Sequence, residues 1–380
     1  MTPSRLFSVL ALAALAIVTA PVPSQAKDPL VFVSAFAPGE KGGIHVYEFD
    51  LAEGKLKPLA RTGGAENPFF LAASPDQKFL YAIHAKEFGG KENEQVAAYE
   101  VVGRGGELKL LNRQSSKGTA SCYLAVDKTG KVVLVANYTT GSVAALPVKA
   151  DGSLGETTSF HQHKGSSVNP MRQKEAHAHS IVVSPDNKFA FAADLGMDRI
   201  IRYQLDPATA KLTPAKEPAA KSPAGGGPRH LTFHPNGKRV YAINELLNSV
   251  SLYDYDAAAS ALTEKQTIPT LPEEFTGKNL CADVKITPDG KYLYGTNRGH
   301  DSIAAYRIGD DGKLTLIAIE PSLGKGPQNL AITADGAWLL CANMPGDNLA
   351  VFRIDANTGL LKSAGEPVKQ ISPSCIVLLP

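Results

Sequence analysis

The chain has 380 residues, 43% of them hydrophobic, with 39 Lys and Arg against 37 Asp and Glu, a formal net charge of +2. That is ample chain for a large core. A near-neutral balance without long charge blocks excludes the concentrated positive field that nucleic-acid or membrane-surface binding requires.

The first 26 residues read as a separate object. One arginine precedes an apolar run from Leu6 to Ala20, and Ser24-Gln25-Ala26 supplies a small-x-small cleavage pattern. This is the pattern of a secretory signal peptide. The run is shorter than the roughly 18 residues of a spanning helix. No cysteine stands near the cleavage site, so no lipid anchor is expected. The mature chain, residues 27–380, is expected outside the cytoplasm, in the periplasm or secreted.

The next segment, "PLVFVSAFAPGEKGGIHVYEFDLAEGKLKPLA", carries three strand patterns. Six similar units follow, opening at Phe69, Cys122, His179, Arg229, Ala282 and Gln328. Their spacing of about 50 residues is that of propeller blades. In each unit an apolar run reaches a Pro-Asp-Gly-like turn, and a second run rich in aromatic and β-branched residues returns. An alternating strand such as "SVSLYDYD" or "NLAVFRID" comes next, then a short fourth strand. The C-terminal "SPSCIVLLP" looks like a first strand with nothing after it. Joined to the N-terminal three, it completes a seventh unit and leaves no free sheet edge. The expected fold is all-β: one seven-bladed propeller of four-stranded antiparallel blades over residues 27–380.

In such a ring the residue opening the first strand and the residue closing the second share one rim. The opening column holds His179, Arg229 and Gln328; the closing column holds Tyr138, Glu245 and Arg298. His179, Arg229, Glu245 and Arg298 come from three consecutive blades and are expected around one arc of the channel mouth. The glycines of "GGGP" before Arg229 are expected to let backbone approach a ligand there. Rim charges are also ordinary solvated residues, and Arg229 with Glu245 would make an ordinary ion pair.

The stretch "HQHKGSSVNPMRQKEAHAH" raises a rival reading, since His161, His163, Glu175, His177 and His179 are of types that bind zinc. Their spacing fixes no third carboxylate or cysteine ligand, and neither a metal nor another cofactor is expected. Cys122, Cys281, Cys341 and Cys375 allow three disulfide pairings or none. There is no GxSxG, no P-loop and no GxGxxG opening a helix.

The stretches "AHAHSIVVSPDNKFAFAADL", "GGGPRHLTFHPNGKRVYAINE", "CADVKITPDGKYLYGTNRGHDS" and "GPQNLAITADGAWLLCANM" resemble the seven-bladed propeller lactonases. That family includes bacterial 6-phosphogluconolactonases and a fungal muconate-lactonising enzyme. The likeness covers essentially the whole mature chain. It implies hydrolysis of a small sugar-derived lactone, with His179, Glu245, Arg229 and Arg298 as catalytic residues. Asn137, His230, Asn297 and Gln328 are the substrate-binding residues expected beside them. Gln328 stands where the family often has arginine, and Leu330 where an aromatic is common. A phosphorylated lactone is made inside cells, so an exported enzyme is expected to act on another lactone. The alternative is a non-enzymatic exported propeller that binds a protein partner or a small acid.

Overall fold

The computed structural model describes residues 27–380; the expected signal peptide, residues 1–26, lies outside the described residues. Seven antiparallel sheets succeed one another along the chain. Blade 1 has strands 30–35, 43–50 and 55–62, and blade 2 runs from 71 to 115. Blades 3 to 7 begin at Ser121, Ala178, Pro228, Leu280 and Pro327. In blades 4 and 7 the outermost strand is split into two short pieces, both paired with the third strand.

The expected closure is present. The C-terminal strand Pro373–Leu379 pairs antiparallel with Leu30–Ala35, with Val33 opposite Ile376. The Ser34 and Ser374 hydroxyls lie 2.9 Å apart across the seam.

Among the described residues the core forms six apolar clusters between blades, one of which spans blades 1 to 3. Leu134 and Ala136 of blade 3 meet Ala190 and Ala192 of blade 4, and Phe191 and Ala193 meet Val240 and Ala242 of blade 5. On the far side Leu340 and Ala342 meet Val31 and Val33, which seals blade 7 to blade 1. Inner strands therefore have both faces covered and read as continuous apolar runs such as "VVLVAN". Outer strands such as Lys55–Thr62 keep one side in water and read as polar.

At one rim, the turns that follow the first strands repeat a single device. The Ser74 hydroxyl donates to Asp76 at 2.6 Å, Ser184 to Asp186 at 2.6 Å, and Thr287 to Asp289 at 2.7 Å. The next turn positions take positive φ, as at Asn187 (62°) and Gly290 (75°), which Asn and Gly tolerate. All four cysteines are buried free thiols, which closes the question of pairing.

Candidate active site at the channel mouth

The opposite rim is built by a repeated bulge. The register between first and second strands shifts between Ser121 and Tyr123, Ala178 and Ser180, Pro228 and His230, and Pro327 and Asn329. The extra residues are Cys122, His179, Arg229 and Gln328, the opening column itself. A bulge bends the strand and re-aims a side chain. One backbone irregularity, repeated around the ring, thus turns this column toward the mouth.

Glu245 is the hub of the charged arc. Its carboxylate accepts from Arg229 Nε at 3.0 Å, Arg298 Nη2 at 2.9 Å and Arg172 Nη2 at 2.7 Å. Burial alone would raise its pKa, but the charges of Arg298, Arg229 and Arg172 overcome this and hold it below the usual carboxylate range. The partners' side chains differ in exposure: Arg229 is 1% exposed, Arg298 25% and Arg172 34%. Arg229 also donates through Nη1 to the Ala282 carbonyl at 2.6 Å. Desolvation, with Arg298 adding to it, lowers its pKa to about 10, so it stays cationic at neutral pH.

His179 lies beside this network without joining it. Its Nε2 is 3.8 Å from Glu245 Oε2, too long for a hydrogen bond, and has no other partner among the described residues. Its Nδ1 faces the Cys122 thiol at 3.6 Å. Burial, then the charge of Arg229, pushes the imidazole well below its ordinary pKa, so it is neutral. A proton on Nδ1 directed at sulfur leaves the Nε2 lone pair free.

Beneath the mouth the channel is filled. His230 packs edge-on to Tyr123 at 5.0 Å and to Phe70 at 6.0 Å. These rings come from blades 5, 3 and 2, so they meet across the ring axis and form a floor. Across from the charged arc, Phe36, Phe69 and Phe88 pack together with centroids 4.9–5.1 Å apart. The mouth thus has one charged side and one aromatic side above this floor of rings.

The structure brings His179, Arg229, Glu245 and Arg298 together. It corrects several of the other expectations. Asn137 is fully buried and spent on its own blade: it accepts from Ser121 Oγ at 2.7 Å and donates to Ser116 and Ser142. Asn297 is likewise buried, bonded to Thr270, Asn279 and Ser302. Neither amide is left for a substrate. His230 has both nitrogens engaged, with Asp283 Oδ1 at 2.8 Å and Arg229 Nη1 at 3.1 Å, so it positions Arg229. Desolvation, then Arg229, lowers its pKa to about 4. Gln328 accepts from Arg298 Nη1 at 3.2 Å, and its amide nitrogen has no partner among the described residues. Leu330, in place of an aromatic, is wholly buried between blades 6 and 7.

The glycines of "GGGP" spend two amides within the fold. The amides of Gly225 and Gly227 both donate to Asp198 at 2.7 Å. The zinc reading also fails to assemble. His163 is locked between Asp194 and Tyr203, both at 2.6 Å, and His161 bonds the Leu212 carbonyl. His177 stacks on Tyr138 at 4.5 Å. Among the described residues no three of His, Cys, Asp and Glu are grouped to hold a metal.

Three residues escaped the sequence reading. Arg172 sits in the insertion, outside any repeat column. Asp198 accepts from Ser167, Gln173, Gly225 and Gly227, and so fixes both the insertion and the loop before Arg229. Asp283 binds His230, Lys285, Asn329 and the Leu330 amide. A carboxylate within the apolar run "CADVKI" was the available signal for the last.

Residues 30–378 match the model of the family described as "Lactonase, 7-bladed beta-propeller". A 6-phosphogluconolactonase of Formosa agariphila is 35% identical over 80% of this chain and 86% of its own. One from Bacillus subtilis is 31% identical over 92% of this chain and 97% of its own. The structure of a periplasmic gluconolactonase from Pseudomonas aeruginosa superposes with a TM-score of 0.86 at 31% identity, covering 93% of this chain and 99% of that one.

Proposed function

We infer the following activity for this chain, which belongs to the seven-bladed β-propeller lactonase family: it hydrolyses a small sugar-derived lactone. The relatives are named as lactone hydrolases over most of both chains, which favours an enzyme over a passive binding platform.

The residue roles are our own reading. Water attacks the lactone carbonyl, and His179 Nε2 takes its proton as the new C–O bond forms. The oxyanion is stabilised by the partly exposed Arg298 guanidinium, and the buried charge of Arg229 supports it from beneath. As the carbonyl reforms, the ring C–O bond breaks and the proton passes from His179 to the departing ring oxygen. The product is an open hydroxy acid. Glu245 is a poor base here, because three guanidiniums share its oxygens; it orients them. The carrying observation is the unpartnered Nε2 of a neutral, buried histidine beside a cation cluster. General-base help of this kind is worth about 10²–10⁴ in rate, and oxyanion stabilisation about 10²–10³.

The test is lactone turnover by the mature chain across aldono-lactones, corrected for spontaneous opening. We expect saturable hydrolysis that His179→Ala reduces by about 10²–10⁴. Unchanged turnover in that variant would remove the assignment.

We also propose export. The leader pattern supports it, and the Pseudomonas aeruginosa relative is described as periplasmic. N-terminal sequencing of the mature protein should begin at Lys27; retention of the leader in the cytoplasm would contradict it.

A further inference from the structure

We propose that Arg172 selects lactones bearing an anionic substituent, holding that group at the mouth while the ring opens beside His179. The proposal rests on the lactonase reading above and names the substrate class within it.

Arg172 reaches the site by a dedicated route. Residues 163–177, between the strand Ser159–Gln162 and the first strand of blade 4, form the longest connection between blades among the described residues. The connection is held rather than loose. Gln173 is wholly buried and donates to Asp198 at 2.7 Å and to the Leu195 carbonyl at 2.8 Å; Ser167 donates to Asp198 at 2.5 Å. Asn169 caps the Met171 and Arg172 amides at 3.0 and 3.1 Å. The backbone that carries Arg172 is therefore fixed over the rim.

Its guanidinium is unlike the other two. Nη2 donates to Glu245 Oε1 at 2.7 Å and to the Tyr138 hydroxyl at 3.0 Å. Nε and Nη1 have no partner among the described residues, and the side chain is 34% exposed. Arg229 is sealed beneath, and Arg298 also spends donors on the Leu280 and Cys281 carbonyls and on Gln328. Arg172 alone offers several donors to an arriving group.

The charge count points the same way. Three guanidiniums surround one carboxylate, while His179 and His230 are both kept neutral by burial and by Arg229. Nearby, Asp283 is balanced by Lys285 at 2.8 Å. The mouth holds two surplus positive charges on guanidiniums that are partly or wholly buried, where an anion is favoured far more than in water. Arg172 and His179 approach opposite oxygens of the Glu245 carboxylate. The bound anion and the reacting carbonyl are thus separated by no more than a sugar ring with its substituent.

Phosphate and carboxylate share this chemistry, and the experiment separates them. The kcat/KM of the mature protein is measured on neutral gluconolactone, on 6-phosphogluconolactone and on a carboxylate-bearing glucarolactone. The wild type, Arg172→Gln and Arg172→Lys are compared at low and high salt. The wild type should prefer an anionic lactone over the neutral one, less so as salt rises. Arg172→Gln should shrink that preference about 10- to 100-fold, mainly through KM, and Arg172→Lys should restore part of it. The anionic lactone that loses most identifies the group bound. Equal losses on all three lactones would mean that Arg172 acts only by holding Glu245, and would overturn the proposal. So would a wild type indifferent to charge. Absence of turnover on every lactone would count against the hydrolase itself; calorimetric titration with gluconate, 6-phosphogluconate and glucarate then decides the anion preference separately.

Discussion

The two rims of the disc both carry charged residues and use them in opposite ways. At the turn rim Asp76, Asp186 and Asp289 each bond a hydroxyl two residues away, and the same geometry recurs from blade to blade. At the mouth Glu245 gathers guanidiniums 16, 53 and 73 residues distant, from its own blade, from the next blade and from the insertion before blade 4. A polar residue that repeats with the fold serves its own blade. One that departs from the repeat, and meets others like it across blades, serves something the repeat itself does not need.

Substitutions should separate the rims cleanly. The largest effect is expected at Glu245. Glu245→Leu leaves three guanidiniums without their shared counter-ion, one of them fully buried. Loss of a buried partner costs about 3–5 kcal/mol. Lactone turnover should fall to the spontaneous rate, and chemical denaturation should show the lower stability. A variant that melts like the wild type would mean water already screens the cluster.

Acid comes next. The folded pKa of His230 is lowered to about 4 and that of His179 lies well below 6.5, so below pH 6.5 the unfolded chain binds protons that the folded chain refuses. Stability is therefore full above about pH 6.5 and is lost as pH falls toward the folded values. The His230 share is on the order of 3 kcal/mol by pH 4. Melting temperatures at pH 7 and pH 5 read this directly, and His230→Gln should flatten the slope. Because His179 stays neutral, the acid limb of kcat/KM should lie well below pH 6.5. A limb centred at 6.5 would mean that the His179 imidazole is more hydrated than its burial indicates.

The smallest effect is expected at the other rim. Asp289→Ala removes the Thr287 hydroxyl bond and the Lys291 amide bond of one turn. A stability loss of about 1 kcal/mol, with kcat/KM unchanged, is expected. A change in kcat/KM would show that the rims are coupled.

This contrast also explains what was legible in the sequence. The ring and its closure were readable because seven copies of one grammar reinforce each other. The opening and closing columns found His179, Arg229, Glu245 and Arg298 because those residues break that grammar. Asn137 and Asn297 were expected from the resemblance, and the columns give them another reading. Their column reads His84, Asn137, Asp194, Asn244, Asn297 and Asn343, polar in all six units, which marks it as structural. In blades 3, 5 and 6 the asparagine amide bonds the serine five residues on. Asp198 does stand in a column, with Asn248, Asp301 and Asp347, all at positive φ, but that column was not read. Arg172 lay outside the repeat, where alignment within the chain has nothing to compare, and only the folded path shows where it points.

The seam between Leu30–Ala35 and Pro373–Leu379 has a consequence for biosynthesis. Leu30 and Leu379, which meet there, are separated by 349 positions in the chain. During synthesis the first three strands must wait, with their inner edge uncovered, until the final strand has emerged. Finishing the disc is a single late zippering event rather than a gradual one. A polypeptide cut just before Pro373 would keep six whole blades yet expose a hungry β edge, the kind of surface on which chains join one another and precipitate.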